Sequence, residues 1–220
     1  MNTRKTTDRM NAVVTADIVD YSRLSYEEEE RVLITLHETF EENPGIRTNV
    51  GGFVITRGDN IQIELEKAEE ALNVALLLKS SLNKIALNDG NKPGINVRIA
   101  IGIGQITGKR MSVNESTGDA YTFSGRTLDS MKKNRRTFAI KTNDPSLDAE
   151  LETEFKLLEV ILSGWTVLSA EVIYWILSGF NEREIGNKLK KTQSAINQRK
   201  KTAGWIGIEP LLRRFRELIG

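Results

Sequence analysis

Aspartate side chains stand at the ends of two apolar segments, where they could support metal chemistry. Asp17 lies near the end of the apolar run 11–18, and Asp59 follows the run that ends at Ile55. Divalent cations such as Mg²⁺ take oxygen ligands, and a two-metal site holds the attacking and leaving oxygens of a displacement reaction together. If neighbouring strands bring these carboxylates to one sheet edge, the pair could hold a metal bound to a nucleoside triphosphate.

The hydrophobic pattern predicts the elements that position these aspartates. A mostly apolar run predicts the first strand, and Ser25 with Glu28 three residues later has the spacing of a helix capping box. The predicted strands are 11–18, 46–55, 60–65, 96–103 and 136–141, and the predicted helices are 25–43, 67–86 and 119–131, with a loop around 112–115. The first six elements run β-α-β-β-α-β, which is the ferredoxin-like arrangement of an α+β fold.

Turn residues at 143–146 predict a domain boundary, because they coincide with a change in composition. We therefore expect one domain over residues 1–145 and a smaller one over 146–220. The second part is predicted to be all helical, with helices over 148–162, 168–177, 182–189 and 193–203. Only Lys190-Lys191-Thr192 joins the last two of these helices.

Charge is distributed unevenly between the two parts. Residues 165–220 contain ten Lys and Arg and five Asp and Glu, a formal charge of +5, whereas the rest of the chain carries −4. This segregation predicts that the C-terminal part meets a polyanion.

Composition excludes several kinds of chemistry. The chain has no cysteine and one histidine, His37, so disulfides, Cys/His zinc sites and Ser-His-Asp catalysis are not expected. His37 lies in an amphipathic helical run, which favours a helix-surface position. The N-terminus lacks the apolar core of a signal peptide, and no apolar stretch is long enough to span a bilayer. We therefore expect a cytoplasmic protein without a membrane partner.

The two helices joined by residues 190–192 carry the signals of a DNA-binding helix pair. Asn181 can cap one helix and Thr192 the next, and Gly186 is small enough for a close helix crossing. Ile185, Leu189 and Ile196 would form their shared core. The segment resembles the helix-turn-helix of LuxR-type proteins and sigma-factor region 4.

That resemblance implies contacts with double-stranded DNA. The residues expected to point outward from the second helix are Gln193, Ser194, Asn197, Gln198, Arg199 and Lys200. Gln and Asn suit adenine edges and Arg suits guanine, whereas Lys188, Lys190, Lys191 and Lys201 are better placed for phosphates. The alternative interpretation is an ordinary helical hairpin with a solvated basic face.

The order of acidic motifs in the N-terminal part resembles the class III nucleotidyl cyclase homology domain. The matching segments are Asp17-Ile18-Val19-Asp20-Tyr21-Ser22, Gly58-Asp59 and Gly118 to Arg126. By this resemblance, Asp17 and Asp59 are the ligands of Mg²⁺ or Mn²⁺. The loop containing Ile18, Tyr21 and Ser22 cradles the phosphates of a nucleotide, and Arg126 meets a triphosphate. The alternative is that both aspartates only end strands and cap turns.

Two positions depart from the cyclase pattern. Ile55 replaces the lysine that reads the base, and Thr122 replaces an asparagine. Ile55 cannot hydrogen-bond a purine, and losing one oriented donor costs about 10²–10³ in rate. Arg126 and Thr122 would be the catalytic candidates of an active enzyme, but we do not expect ordinary cyclase turnover.

The whole arrangement resembles the SatD-like family of small bacterial proteins, a cyclase-like domain followed by a helix-turn-helix. This resemblance supports a regulator more than an enzyme. Our leading hypothesis is a DNA-binding transcriptional regulator whose cyclase-like domain binds a nucleotide ligand. A homodimer is expected, because cyclase domains build their sites across a two-fold interface. Two alternatives stay open. One is an active metal-dependent nucleotidyl cyclase or related nucleotide enzyme, and the other is a protein–protein assembly module.

Overall fold

The protein has a mixed α+β fold with one main sheet and several helices. The computed structural model describes residues 10–42, 50–56, 58–87, 94–108, 113 and 116–220. The strands are β1 (Asn11–Ile18), β2 (Val50–Thr56), β3 (Asn60–Leu65), β4 (Val97–Gly104), β5 (Ile106–Gly108), β6 (Thr117–Gly118) and β7 (Phe138–Lys141). The helices are α1 (Tyr26–His37), α2 (Ala71–Asn83), α3 (Asp119–Asn134), α4 (Pro145–Ser163), α5 (Val167–Leu177), α6 (Glu182–Leu189), α7 (Gln193–Thr202) and α8 (Trp205–Ile219).

Most predicted elements agree with these bounds. β1, β3 and α6 match their predicted ranges, and Ser25 caps α1 in a capping box with Glu28. α2 is shorter than predicted, because a 3₁₀ turn over Ala68–Glu70 precedes it and the helix ends at Asn83. The predicted helix end before Pro44, the strand start at Ile46 and the loop residues 112, 114 and 115 lie outside the described residues.

Five strands form the main sheet in the order β2-β3-β1-β4-β7. β1 is central and pairs antiparallel with β3 and β4, whereas β7 pairs parallel with β4. A register shift next to Gly51 interrupts the pairing of β2 with β3. β5 and β6 form a separate two-stranded ribbon that the sequence did not predict.

Helices cover both faces of this sheet. Ala12, Val14 and Ala16 of β1 join α2 in the large core, whereas the alternate residue Thr15 hydrogen-bonds to Ser124 of α3 (Oγ to Oγ, 2.8 Å). This split follows from the two-residue period of a strand. Because α3 covers the second face, almost every residue of β4 is buried despite its alternating sequence.

Two glycines of β4 let α3 approach the sheet closely. A Cβ at Gly102 would lie 2.1 Å from the carbonyl oxygen of Ala120, and one at Gly104 would lie 2.8 Å from the Cβ of Asp119. Neither distance leaves room for a side chain, so any larger residue at these positions must displace the helix.

The C-terminal helices pack on the N-terminal part through a continuous core. α4 packs against β7, and α5 packs against α2. The aromatic rings of Phe138, Phe155 and Phe215 form a row from β7 through α4 to α8, with centroids 5.5 and 6.4 Å apart. The ion pair of Arg216 with Glu70 (Nε to Oε1, 3.1 Å) ties α8 to the turn before α2.

None of the helices in the described ranges combines the length and apolar character that crossing a membrane requires.

Candidate functional site

The fold brings the two acidic signatures to the same end of the sheet. The β2–β3 turn lies beside the end of β1, where the backbone N–H of Ile18 donates to the carbonyl oxygen of Asp59 (3.0 Å). Asp17 lies opposite Asn60 of β3 on one side and Arg98 of β4 on the other.

The carboxylate of Asp17 is fully engaged by positive side chains. Arg98 donates to both oxygens, from Nε to Oδ1 at 2.8 Å and from Nη2 to Oδ2 at 2.9 Å. Lys132 of α3 approaches Oδ2 from the other side, at 3.2 Å. Asp17 is 5% exposed and Arg98 is partly buried, whereas the side chain of Lys132 is 48% exposed.

The cluster keeps Asp17 ionised. Burial alone would raise the pKa of Asp17, but the hydrogen bonds and charges of Arg98 and Lys132 outweigh burial and lower it. The same contact raises the pKa of Arg98. Both shifts stabilise the charged forms.

These residues do not fit a divalent metal. Both oxygens of Asp17 already accept hydrogen bonds, and two cations beside it would repel a third. Within the described ranges, no three Asp, Glu or His side chains lie close enough together to hold a metal ion. In this arrangement Asp17 is therefore not available to join Asp59 as a metal ligand.

Asp59 and Tyr21 form the outer part of this end of the sheet. Gly58 has a φ of +79°, and a Cβ there would lie 2.5 Å from the Tyr21 hydroxyl, so only glycine allows the tyrosine to lie on the turn. Burial, followed by the charges of Glu29 and Asp59, raises the pKa of Tyr21. Asp59 is half-buried.

Ile18 and Ser22 have different environments. The side chain of Ile18 is 3% exposed and belongs to the core, so only its backbone could contact a ligand. Ser22 is exposed in a 3₁₀ turn over Tyr21–Arg23. The turn follows Asp20, whose φ is +57°.

The catalytic candidates lie on the outer face of α3. Ala120, Ser124 and Leu128 face the sheet, whereas Thr122 and Arg126 are exposed one helical turn apart. Thr122 Oγ1 donates to the carbonyl oxygen of Gly118 (3.2 Å). Within one chain, α3 therefore brings Lys132 rather than Arg126 to Asp17.

The short helices α6 and α7 have the predicted caps and turn. The Asn181 side chain accepts hydrogen bonds from the N–H groups of Arg183 and Glu184, and Thr192 accepts one from Ala195. At the turn, the N–H of Lys191 donates to the carbonyl oxygen of Gly186 (2.9 Å). A Cβ at Gly186 would lie 3.0 Å from the carbonyl oxygen of Lys191, so a side chain there would press on the backbone of the turn.

A small apolar cluster holds these two helices on α5. Its buried members are Val172, Ile185 and Ile196, and Leu189 packs at its edge. The predicted core residues thus lie together, with α5 as the third helix. The N–H of the Trp165 indole donates to the carbonyl oxygen of Ala203 (2.9 Å), which anchors the C-terminal end of α7.

Four lysines of the α6–α7 unit are exposed, namely Lys188, Lys190 and Lys191 at or beside the turn and Lys201 near the C-terminal end of α7. Lys188 lies over the rings of Trp175 and Phe180, with its Nζ 4.6 and 4.5 Å from the two centroids. The positive charges of Lys190, Lys191 and Lys201 have no ion-pair partner among the residues that the structure describes.

The prediction that Arg199 and Lys200 point outward is wrong. Arg199 forms an ion pair with Glu171 of α5 (3.2 Å), and its side chain is 18% exposed. Lys200 pairs with Glu182 of α6 (2.9 Å), and its side chain is 29% exposed. Both residues follow Ile196 by three or four positions, which places them on its inward face.

Glu182 also binds two other predicted DNA-contacting residues. Hydrogen bonds from Lys200, Asn197 and Gln193 lower its pKa, although burial opposes them. Ser194 and Gln198, which lie on the face opposite Ile196, remain exposed.

Sequence reasoning did not identify Arg98, Lys132, Glu182 or Lys79 as important. The sequence could have indicated that Lys79 is buried, because Lys79 is the only charged residue of α2, a helix that is apolar on nearly every side. Arg98 and Lys132 bind Asp17, which lies 81 and 115 positions away from them in the sequence. No local sequence pattern reveals contacts over such separations.

Neither protein-family models nor curated proteins match the chain. Among solved structures, the active GGEEF domain of a diguanylate cyclase from Vibrio cholerae is 15% identical, with 62% of this chain and 84% of that chain covered and a TM-score of 0.43. An adenylate/guanylate cyclase/hydrolase from Silicibacter pomeroyi is 27% identical, with 55% and 69% covered and a TM-score of 0.38. A bacterial light-regulated adenylyl cyclase is 15% identical, with 60% and 75% covered and a TM-score of 0.41. These three TM-scores are all below 0.5.

Proposed function

We propose that this chain is a DNA-binding transcriptional regulator in which α6 and α7 form a helix-turn-helix. The observation that carries this proposal is the three-helix unit of α5, α6 and α7. It combines two capped helices, a turn that requires a small residue at Gly186 and a shared core at Ile185 and Ile196. Such a unit presents its second helix to the major groove of DNA.

The unpaired lysines support contact with phosphates. Lys190 and Lys191 precede α7, and Lys201 lies near its C-terminal end, so positive charge flanks the exposed face of the helix. Ser194 and Gln198 lie between them on that face. In this proposal the lysines position the helix on DNA, and the two polar side chains contact base edges.

The N-terminal part is proposed to be a cyclase-like sensor domain. Its first six elements and the strand order β2-β3-β1-β4 fit the ferredoxin-like arrangement. With Ile55, Thr122 and the engaged Asp17, it lacks the groups that conventional cyclase turnover requires. The exposed face of α3 with Arg126 is available to a second copy, as a homodimer would require.

The proposed domains, residues 1–145 and 146–220, share one core. A ligand in the first domain could therefore act on the second through α4 and α5. This arrangement also agrees with the resemblance to SatD-like proteins.

Salt-dependent DNA binding tests the proposal. Fluorescence anisotropy of a labelled 20-base-pair duplex would be measured with the full chain between about 50 and 300 mM KCl. Each phosphate contact contributes about 0.9 to the slope of log K against log salt. The triple variant Lys190→Gln/Lys191→Gln/Lys201→Gln should lower that slope by about 2.7.

A control variant of equal charge is Lys67→Gln/Lys133→Gln/Lys156→Gln, which changes exposed lysines outside the three-helix unit. It should leave the slope near the wild-type value. If the wild type shows no salt-sensitive binding, or if both triple variants lose the same slope, DNA binding through α6 and α7 is rejected. Protein–protein assembly would then be the preferred function.

A second candidate function is a metal-dependent nucleotide enzyme, because Asp59 lies beside the end of β1. This function requires Asp17 to leave Arg98 and Lys132. Incubation with each nucleoside triphosphate and Mg²⁺ or Mn²⁺, followed by chromatography, tests it. Robust formation of a cyclic nucleotide by the wild type, but not by Asp59→Asn, would make the enzyme the leading function.

A further inference from the structure

A small cavity lies between the sheet and the C-terminal helices. Its volume is about 180 Å³, which is room for about six water molecules or one small organic molecule. The cavity is lined by α2, by the residues preceding β4 and β7, by the C-terminal end of α4 and by the residues just before α5. The lining residues are Lys79, Asn83, Asn96, Thr137, Leu162, Ser163 and Trp165.

The ammonium group of Lys79 is buried in the wall of this cavity. Lys79 is 3% exposed, and its Nζ donates to Oδ1 of Asn96 at 2.8 Å. An ammonium has three donors. Within the described part of the chain, Asn96 supplies the one acceptor at hydrogen-bond distance, so two donors remain for another molecule.

No carboxylate of the described residues pairs directly with Lys79. The nearest acidic influence is Glu159 of α4, whose charge acts on Lys79 without a hydrogen bond. Both oxygens of Glu159 are occupied, Oε2 by Arg136 and Oε1 by the N–H groups of Thr137 and Phe138. Burial lowers the pKa of Lys79 to about 8, and Glu159 offsets this effect only in part.

The rest of the cavity wall divides into a polar and an apolar side. Asn96 lies beside the ammonium, and Asn83 is held by a hydrogen bond from its Nδ2 to the carbonyl oxygen of Ile95 (2.8 Å). Leu162 and Trp165 are buried and form the apolar side. An occupant that suits both sides has an anionic group at one end and a short apolar body at the other.

We propose that this cavity binds a small organic monocarboxylate, with the carboxylate at Nζ of Lys79 and the apolar part against Leu162 and Trp165. A single negative charge matches Lys79, the single cation among the described residues that line the cavity. A phosphate dianion would need a second positive group, and Arg136 is committed to Glu159 and Glu152.

Binding would be measured by isothermal titration of the full chain with propionate, at constant ionic strength and pH 7. Propionamide is the matched neutral probe, because it has nearly the same shape without the charge. Trp165 lines the cavity, so its fluorescence gives a second readout. We expect propionate to bind at least tenfold more tightly than propionamide.

Two further measurements locate the site. Lys79→Met should lower propionate affinity at least tenfold, whereas Lys133→Met, at an exposed position of α3, should leave it unchanged. The wild type alone provides a test that needs no variant. Its affinity should fall at least tenfold between pH 7 and pH 10, as Lys79 loses its proton.

Equal binding of propionate and propionamide would overturn the proposal. So would propionate affinity that is constant between pH 7 and pH 10, a folded Lys79→Met variant that binds as the wild type does, or tighter binding of inorganic phosphate than of propionate. None of these results depends on whether the chain binds DNA.

Discussion

The guanidinium of Arg98 holds the carboxylate of Asp17 through two hydrogen bonds, of 2.8 and 2.9 Å, between neighbouring strands β4 and β1. Lys132 completes the cluster from α3. The aspartate that the sequence nominates as a metal ligand is therefore part of an internal ion-pair cluster that joins the sheet to α3.

Asp17→Asn should destabilise the fold by about 3 kcal/mol, because it leaves the partly buried guanidinium of Arg98 and the ammonium of Lys132 without their counter-charge. Urea unfolding at pH 7 measures this change. The matched control is Asp20→Asn, since the pair of Asp20 with Arg23 is exposed and 3.8 Å long. It should change stability by no more than about 0.5 kcal/mol. Equal effects of the two substitutions would contradict a structural role for the cluster.

The same cluster predicts that the stability of the fold depends on pH in the acidic range. The pKa of Asp17 is lower in the folded state than its ordinary value of 3.8. The charge of Asp17 therefore stabilises the fold above pH 3.8, and this stabilisation is lost as the pH falls through the pKa of the folded state. Below about pH 4, the stability difference between wild type and Asp17→Asn should therefore shrink. A difference that stays constant from pH 6 to pH 2.5 would show that folding does not lower the pKa of Asp17.

Glu182→Gln should strengthen DNA binding, if the proposed function is correct. The carboxylate of Glu182 holds Lys200 at 2.9 Å and binds Asn197 and Gln193. Its removal frees one lysine and two polar side chains of α7, so the salt slope should rise by about 0.9. Glu209→Gln removes the same charge from an exposed position of α8 and is the control. A slope that is unchanged in Glu182→Gln, or raised equally in both variants, counts against this prediction.

Local signals in the sequence were sufficient for much of the fold. β1 is a mostly apolar run, and Ser25, Asn181 and Thr192 cap helices where their spacing predicted. These features depend on residues within about four positions of each other.

The errors concern side chains whose direction or partners are set by the position on a helix face or by the tertiary fold. The prediction that Arg199 and Lys200 point outward rested on their residue types. Their spacing of three and four positions from Ile196 already places them on the inward face of the helix. The Arg98 contact to Asp17 depends on strand order. Lys79 lies in a helix that the sequence predicts, but the sequence does not show that α5 covers the remaining side of α2 and buries this lysine.

Gly102→Ala should destabilise the protein by about 1–3 kcal/mol or more, because the added Cβ would lie 2.1 Å from the Ala120 oxygen. The control lies in α3 itself. A Cβ at Gly125 meets nothing within 4 Å, so Gly125→Ala should stabilise the helix by about 0.5–1 kcal/mol. Thermal unfolding of both variants measures the contrast. Opposite signs are expected, and a neutral Gly102→Ala would contradict the close packing of α3 on β4.

The stability of the fold should increase as the pH rises and the buried Lys79 loses its proton. Its pKa is about 8 in the folded protein and 10.5 ordinarily, so between these values the unfolded chain binds more protons than the folded one. Stability therefore increases with pH across this window, by at most about 1.4 kcal/mol per pH unit and on the order of 3 kcal/mol in total.

Lys79→Met removes this dependence, because methionine fills a similar volume without a charge. At pH 7 the variant should be more stable than the wild type by about 2–3 kcal/mol, and the difference should vanish near pH 10.5. Urea unfolding of wild type, Lys79→Met and the exposed control Lys133→Met at pH 7, 8, 9 and 10 measures these differences. The control should run parallel to the wild type, since Lys133 is exposed on α3. If Lys79→Met also runs parallel to the wild type, Lys79 titrates as an exposed lysine does, and its burial beside the cavity imposes no cost on its charge.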